Sequence, residues 1–311
     1  MSVTAYVAPA SIAEAVGELE AALPAAALFA GGTDVLPQIR AGRTFGTIVD
    51  LKRIDEVMQI EQSADSWLIG AGVPGYRIGG HEALRAAYPG LVESVELIGS
   101  TQIQGRATIG GNVCNASPAA DTVPALLAND ATCLIVGPAG RREIPLSELI
   151  TGPGTTTLAP AEIVTAFRLP VADGNIGDAA LRFTPRTEMD IAVANTAVRI
   201  VLDGDRCIEA AVAIGAVGPR ALRVPEAEQA LVGADGPTDA VLERVAQACR
   251  AAADPVTDKR GTVAFRVHVI GVLATRAATI AWTRARSEPV AAASDGVHQP
   301  VTPSTDEDQT R

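Results

Sequence analysis

Residues 26–40 read AALFAGGTDVLPQIR. A short apolar run, Ala25 to Ala30, passes directly into Gly31-Gly32-Thr33-Asp34 and then into Val35 to Arg40, which reads as helical. The order is strand, tight glycine turn, helix. Two adjacent glycines let the backbone turn sharply and approach a ligand closely. Successive N–H groups in such a turn converge on an anion such as a diphosphate. Thr33 adds a hydroxyl donor. A plain strand-end turn would use the same residues, so this stretch alone leaves both readings open.

A second segment repeats the chemistry. Ala107-Thr108-Ile109-Gly110-Gly111-Asn112-Val113 reads as another paired-glycine turn, with a hydroxyl before it and an amide after it. Ala116-Ser117-Pro118 and Asp121 follow closely. Two such loops could grip the two ends of one diphosphate. The pair is more specific than either member, but spacing alone does not name the nucleotide.

Around these segments the chain reads as α+β. Ser11 caps a predicted helix to Ala22, with Glu14 placed as in a capping box. Predicted strands fall at Thr47–Leu51, Trp67–Gly72, Thr132–Val136 and Glu162–Leu169, and predicted helices at Gly80–Ala87, Leu91–Ser100 and within Pro118–Ala128. Composition shifts at Val171–Asp178, where two glycines and an asparagine mark a domain boundary. Beyond it, Ile191–Leu202 and Cys207–Ala216 read as a hairpin through Asp203-Gly204-Asp205, and three helices follow. The expected domains are 1–175, with lobes of about 1–55 and 56–175, then 176–286. The polar end, 287–311, reads as a disordered tail.

Composition excludes several classes. A net charge of −11 argues against a nucleic-acid partner, which needs clustered Lys and Arg, and against an anionic membrane surface. It leaves room for a phosphate-bearing cofactor held by backbone N–H groups. The four cysteines, Cys114, Cys133, Cys207 and Cys249, form no CxxC pair and read as reduced, mostly structural thiols. With no secretory signal and no run of about 18 apolar residues, the expectation is a cytoplasmic protein without membrane contact. G-x-G-x-x-G and Walker lysine motifs are missing. The three histidines, His81, His268 and His298, have no metal-ligand spacing, and no Ser-His-Asp or Cys-His motif supports a substrate-transforming centre.

With these residues in hand, the chain resembles the medium, FAD-binding subunit of the molybdenum hydroxylases, the group of xanthine dehydrogenase and aerobic carbon monoxide dehydrogenase. Ala30-Gly31-Gly32-Thr33-Asp34 resembles that family's first FAD loop, and Gln102 to Asn112 its second, with Ala116 to Asp121 continuing the match. Thr184-Pro185-Arg186 with Met189-Asp190-Ile191-Ala192 resembles the opening of its C-terminal domain, and Asp258-Lys259-Arg260 with Phe265-Arg266 the start of its last helix.

The resemblance implies a two-lobed, vanillyl-alcohol-oxidase-type FAD-binding domain followed by a small three-stranded sheet with helices. It implies that Phe29, Ala30, Gly31, Gly32, Thr33, Asp34, Val35 and Leu36 line the diphosphate and adenine side. Thr108, Ile109, Gly110, Gly111 and Asn112 would grip the diphosphate from the other lobe, and Asp121 would accept a hydrogen bond from FAD. Ile98 and Ile163 match positions touching flavin or adenine, although some relatives place an aromatic where Ile98 stands. Arg182 is the implied charge near the flavin, with a surface pairing to Glu188 as the alternative. Implied partners are a molybdopterin-bearing large subunit and a small subunit with two 2Fe-2S clusters, assembled as a dimer of heterotrimers. The implied activity is electron transfer from those clusters to an external acceptor. The cysteine-rich insertion of the family's benzoyl-CoA-reducing branch is missing. A self-sufficient flavin oxidase or dehydrogenase of the same fold is the competing reading, and a cofactor-free assembly protein a third.

Overall fold

The computed structural model describes residues 3–171, 174–186 and 189–287. The N-terminal part is a three-stranded parallel sheet in the order β1 (Val3–Val7), β3 (Phe45–Asp50), β2 (Ala26–Phe29). Parallel neighbours need crossovers, and α1 (Ile12–Ala21) and α2 (Val35–Arg40) supply them. Ser11 Oγ accepts from Glu14 N at 3.2 Å and starts α1, as its sequence predicts. Ile12, Ala15, Val16 and Leu19 fall on one helical face and pack with Val49, Leu51, Ile54 and Val57. Ala161 and Ile163 join the same cluster from much later in the chain, so it fastens the first sheet to the second.

That second sheet is antiparallel, in the order β4 (Ile60–Gln62), β5 (Ser66–Gly70), β10 (Ile163–Pro170), β6 (Thr132–Gly137), β7 (Gly140–Pro145), with a small hairpin of β8 (Ile150–Gly152) and β9 (Thr155–Thr156) beside it. Its helices are α3 (Gly75–Gly79), α4 (Glu82–Ala87), α5 (Pro89–Glu96), α6 (Thr101–Gln104), α7 (Ile109–Cys114), α8 (Val123–Ala128) and α9 (Leu146–Leu149). Trp67, Ile69, Ile109, Leu126 and Phe167 are central to its core. The second glycine segment departs from its reading as a turn: Thr108 caps it and Gly110 and Gly111 form the first coil of α7. The hydroxyl–glycine–glycine order is an N-cap followed by residues small enough to pack closely.

The C-terminal part is an antiparallel sheet of three long strands, β11 (Asn175–Phe183), β12 (Ala194–Asp203) and β13 (Arg206–Gly215), with a two-residue edge strand β14 (Leu222–Arg223). The expected hairpin at Gly204 pairs Asp203 with Arg206. Helices α10 (Pro225–Leu231), α11 (Asp239–Ala252) and α12 (Val263–Arg286) complete it. α12 is long and apolar enough to cross a membrane, but Ala274, Ala277, Ala281 and Trp282 are buried against β11 and β12. Most of the expected tail, 288–311, lies outside the described residues.

Strand β11 begins inside the segment that composition marks as a boundary. Its glycine and aspartate serve tertiary contacts. A Cβ on Gly177 would stand 2.1 Å from the Ala281 carbonyl oxygen of α12. Asp178 is buried and accepts from Gly90 N at 2.9 Å, Leu91 N at 3.2 Å and Asn129 Nδ2 at 3.0 Å. It holds the start of α5 against the C-terminal sheet.

Candidate functional site

The first two sheets meet at a cleft of about 410 Å³. Ligand sites in parallel sheets lie beyond the carboxyl ends of the strands, and the turn after β2 is such a place. Gly32 has φ +78°, a left-handed conformation that glycine adopts freely. A Cβ there would also stand 2.2 Å from the Phe29 ring, which floors the turn. The N–H groups of Gly31, Gly32, Thr33 and Asp34 have no backbone acceptor among the described residues. Consecutive N–H donors in a turn form an anion-binding concavity.

The second wall is the start of α7. Thr108 Oγ1 accepts from Gly111 N at 2.9 Å. Gly110 packs on the Ala71 carbonyl, and a Cβ there would come within 2.5 Å of that oxygen. Gly111 differs: a Cβ would meet only Thr108 Oγ1, at 3.2 Å, and otherwise extend into open space beside the cleft. The two walls are tied directly. Arg106 Nε donates to Gly31 O and Asn115 Nδ2 to Asp34 Oδ1, both at 3.3 Å. Burial pushes the Asp34 carboxyl above its ordinary pKa.

Ala30, Gly31, Gly32, Thr33, Asp34, Val35, Thr108, Gly110, Gly111 and Ile163 therefore share one cleft. The other residues named from sequence lie off its wall. Phe29 is beneath the turn, and Leu36 is exposed on α2. Ile109 is buried in the core, and Asn112 Oδ1 accepts from Thr122 Oγ1 at 2.7 Å. Ile98 is buried just beyond α5, where its carbonyl accepts from Gln104 Nε2.

Asp121 and Arg182 form a buried pair, Nη1 to Oδ2, at 3.1 Å. Glu188, the alternative partner, lies outside the described residues. Burial raises the Asp121 pKa to about 6 against the lowering charge and hydrogen bond of Arg182. Its other oxygen, Oδ1, is buried with no hydrogen-bond partner among the described residues. A buried acceptor without a donor is costly, and Asp121 does not line the cleft shared by the glycine segments.

Sequence reading missed other parts of the wall. Gly154 and Leu158 come from the β8–β9 region, where the Gly152-Pro153-Gly154 run was the available signal. Gln38, Arg43 and Phe45 also line the cleft. Arg43 Nη1 donates to Gln38 Oε1 at 2.6 Å, and its guanidinium lies 4.9 Å from the Phe45 ring centroid. Arg43 is the only Lys or Arg lining the cleft among the described residues.

A turn with four unpaired N–H groups and a glycine-opened helix start share one cleft, an arrangement suited to binding an anionic group. The comparisons sharpen that reading. Residues 2–172 match the family described as the FAD binding domain in molybdopterin dehydrogenase, and residues 164–281 the CO dehydrogenase flavoprotein C-terminal domain. The carbon monoxide dehydrogenase medium chain of Afipia carboxidovorans is 31% identical over 285 residues, which cover 91% of this chain and 98% of that one. The xanthine dehydrogenase FAD-binding subunit of Escherichia coli is 31% identical over 268 residues, or 85% and 91% of the two chains. A crystal structure of a Cu,Mo-CO dehydrogenase superimposes with a TM-score of 0.87 at 29% identity, covering 91% of this chain and 98% of that one. The chain belongs to the FAD-binding medium-subunit family of the molybdenum hydroxylases, and so to the subunits of oxidoreductases.

Proposed function

We propose that this chain holds FAD across the cleft and relays electrons within a molybdenum hydroxylase complex. The observation that carries the reading is the meeting of the two glycine segments, from two different sheets, on one cleft of about 410 Å³. The residues fit the group. The N–H groups of Gly31 to Asp34, which have no acceptor among the described residues, belong to one wall of the cleft, and Thr108, Gly110 and Gly111 line the other. Gly110 N donates to Ala71 O at 3.1 Å and Gly111 N to Thr108 Oγ1 at 2.9 Å, so the glycines of the second wall offer close approach and not free N–H donors. Ala30, Val35, Ile163 and Val164 supply its apolar wall. By resemblance to the family, and not by lining the cleft, the free Oδ1 of Asp121 accepts from the cofactor, and Arg182 behind it places a positive charge that favours a reduced, anionic flavin.

FAD supplies exchange between one-electron and two-electron carriers, which joins 2Fe-2S clusters to an external acceptor. The chain's own share is to bind, orient and tune it. In this reading a small subunit brings the clusters and a molybdopterin-bearing large subunit oxidises the substrate. The assembly is a cytoplasmic dimer of heterotrimers. The FAD domain is 1–175, in lobes of about 1–55 and 56–175, and 176–286 is the C-terminal domain. The test is the visible spectrum of the chain purified alone and with its co-expressed partners. Flavin absorbance in either supports the reading, and its absence from both overturns it.

A further inference from the structure

Arg106 does not line the cleft, yet it touches the first glycine turn twice. Its backbone carbonyl packs so close to Gly31 that a Cβ there would stand 2.1 Å from the oxygen. Its side chain returns to the same residue, with Nε donating to Gly31 O at 3.3 Å. In a trans peptide, the carbonyl oxygen of one residue and the N–H of the next point in opposite directions. A guanidinium that holds Gly31 O from outside the cleft therefore turns the Gly32 N–H into it. Leu36 N donates to Gly32 O at 3.1 Å and fixes the next peptide in the same way.

Resting on the FAD reading, we propose that Arg106 is a positioning residue for the cofactor diphosphate. It sets the orientation of the 31–32 peptide and places a positive charge behind the turn. A charged donor on a carbonyl polarises the peptide and strengthens its N–H as a donor. In a chain of net charge −11, attraction of a diphosphate has to be local. The arrangement also accounts for the position of Arg106, two residues before Thr108. One short segment then builds the second wall and orients the first.

The residue is exposed, so its side chain can be changed without opening the core. Full-length wild type, Arg106→Met and Arg106→Lys are stripped of flavin and titrated with FAD, then with ADP. Arg106→Met is expected to weaken both ligands about tenfold, with a thermal midpoint of the flavin-free protein within about 2 °C of wild type. Arg106→Lys, which keeps a charged donor, recovers most of the loss. The ³¹P resonances of bound FAD shift in Arg106→Met and return in Arg106→Lys. Wild-type affinity in Arg106→Met overturns the proposal. So does a lysine variant that binds as weakly as the methionine one while both melt early. A wild-type chain that takes up no FAD, either alone or with its co-expressed partners, fails before any variant is compared and overturns the flavoprotein reading itself.

Discussion

Asn115 donates through Nδ2 to Asp34 Oδ1 at 3.3 Å, joining the end of α7 to the turn after β2 across 81 positions of sequence. Both residues line the cleft. The contact places a carboxyl group beside the unpaired N–H groups of the turn, where the proposed diphosphate would sit. Burial raises that carboxyl's pKa, and with it the fraction neutral as pH falls. A carboxylate a few ångströms from a diphosphate at the protein surface costs on the order of 1 kcal/mol. Asp34→Asn should therefore bind FAD several-fold more tightly than wild type at pH 8. The gap should narrow on acidification, because the wild-type group takes up its proton. Fluorescence titration at several pH values checks this, and a gap of constant size would defeat it.

The paired glycines of α7 should separate in their effects. At Gly110 a methyl group meets the Ala71 carbonyl oxygen at 2.5 Å, and a backbone atom cannot easily yield. Gly110→Ala should lose about 1–3 kcal/mol of stability by overpacking. At Gly111 the methyl meets only the Thr108 hydroxyl. Gly111→Ala should lose clearly less stability than Gly110→Ala, since alanine favours helix by up to about 1 kcal/mol and offsets the 3.2 Å approach to the capping hydroxyl. Its FAD affinity should nevertheless drop tenfold or more, because the added carbon stands beside the cleft. Urea melts and FAD titrations of the two variants form the test; equal losses of stability would sink it.

Local chemistry made much of this legible in the sequence. The Ser11 cap, the hairpin at Gly204 and the strand before Gly31 all depend on neighbours within a few positions. The glycine pairs were visible for the same reason, and nine of the residues named from the two glycine segments share the cleft. What escaped notice depends on partners distant in sequence. Gly177 and Asp178 look like linker residues until α12 and α5 are placed against them. Phe29 and Ile109 read as wall residues, but the turn and the helix start point them inward. Arg106 is an ordinary arginine until Gly31 arrives beside it from 75 positions away.

Asp121 should make the flavin-free protein pH-sensitive. Its pKa rises to about 6, chiefly by burial, against about 3.9 when unfolded. The folded state thus holds the proton more tightly. This group's cost to stability is absent below about pH 4, grows through the window to pH 6 and is complete above it. Its full size is on the order of 2–3 kcal/mol. Asp121→Asn should remove that decline, leaving a flatter stability profile from pH 4 to pH 7 in denaturant melts. FAD should also flatten the wild-type profile if it satisfies Oδ1. A variant with the same slope as wild type would place the titration elsewhere.

Lys52 tests the support under the glycine turn. Its ammonium lies 4.3 Å from the Phe29 ring centroid and bonds Asp50 Oδ2 at 2.6 Å. Asp50 is buried, also accepts from the Lys52 N–H and the Tyr6 hydroxyl, and stands opposite Phe29 in the parallel register. Burial alone would raise the Asp50 pKa; the hydrogen bonds from Lys52 and Tyr6 outweigh it and hold the carboxyl low. Stability from this depressed group is present above the unfolded value of about 3.9 and lost as pH falls through the folded one. Lys52→Met leaves a buried carboxylate short of its cation and should cost about 2–3 kcal/mol at pH 7. Near pH 3 the cost should shrink, because Asp50 is neutral in the variant and loses ground in wild type. Since Phe29 floors Gly32, FAD affinity should fall along with stability at pH 7. Arg at position 52 should restore both, since it keeps the charge over the ring. A methionine variant equally destabilised at pH 3 and pH 7 would show that packing, and not the ion pair, supports the turn.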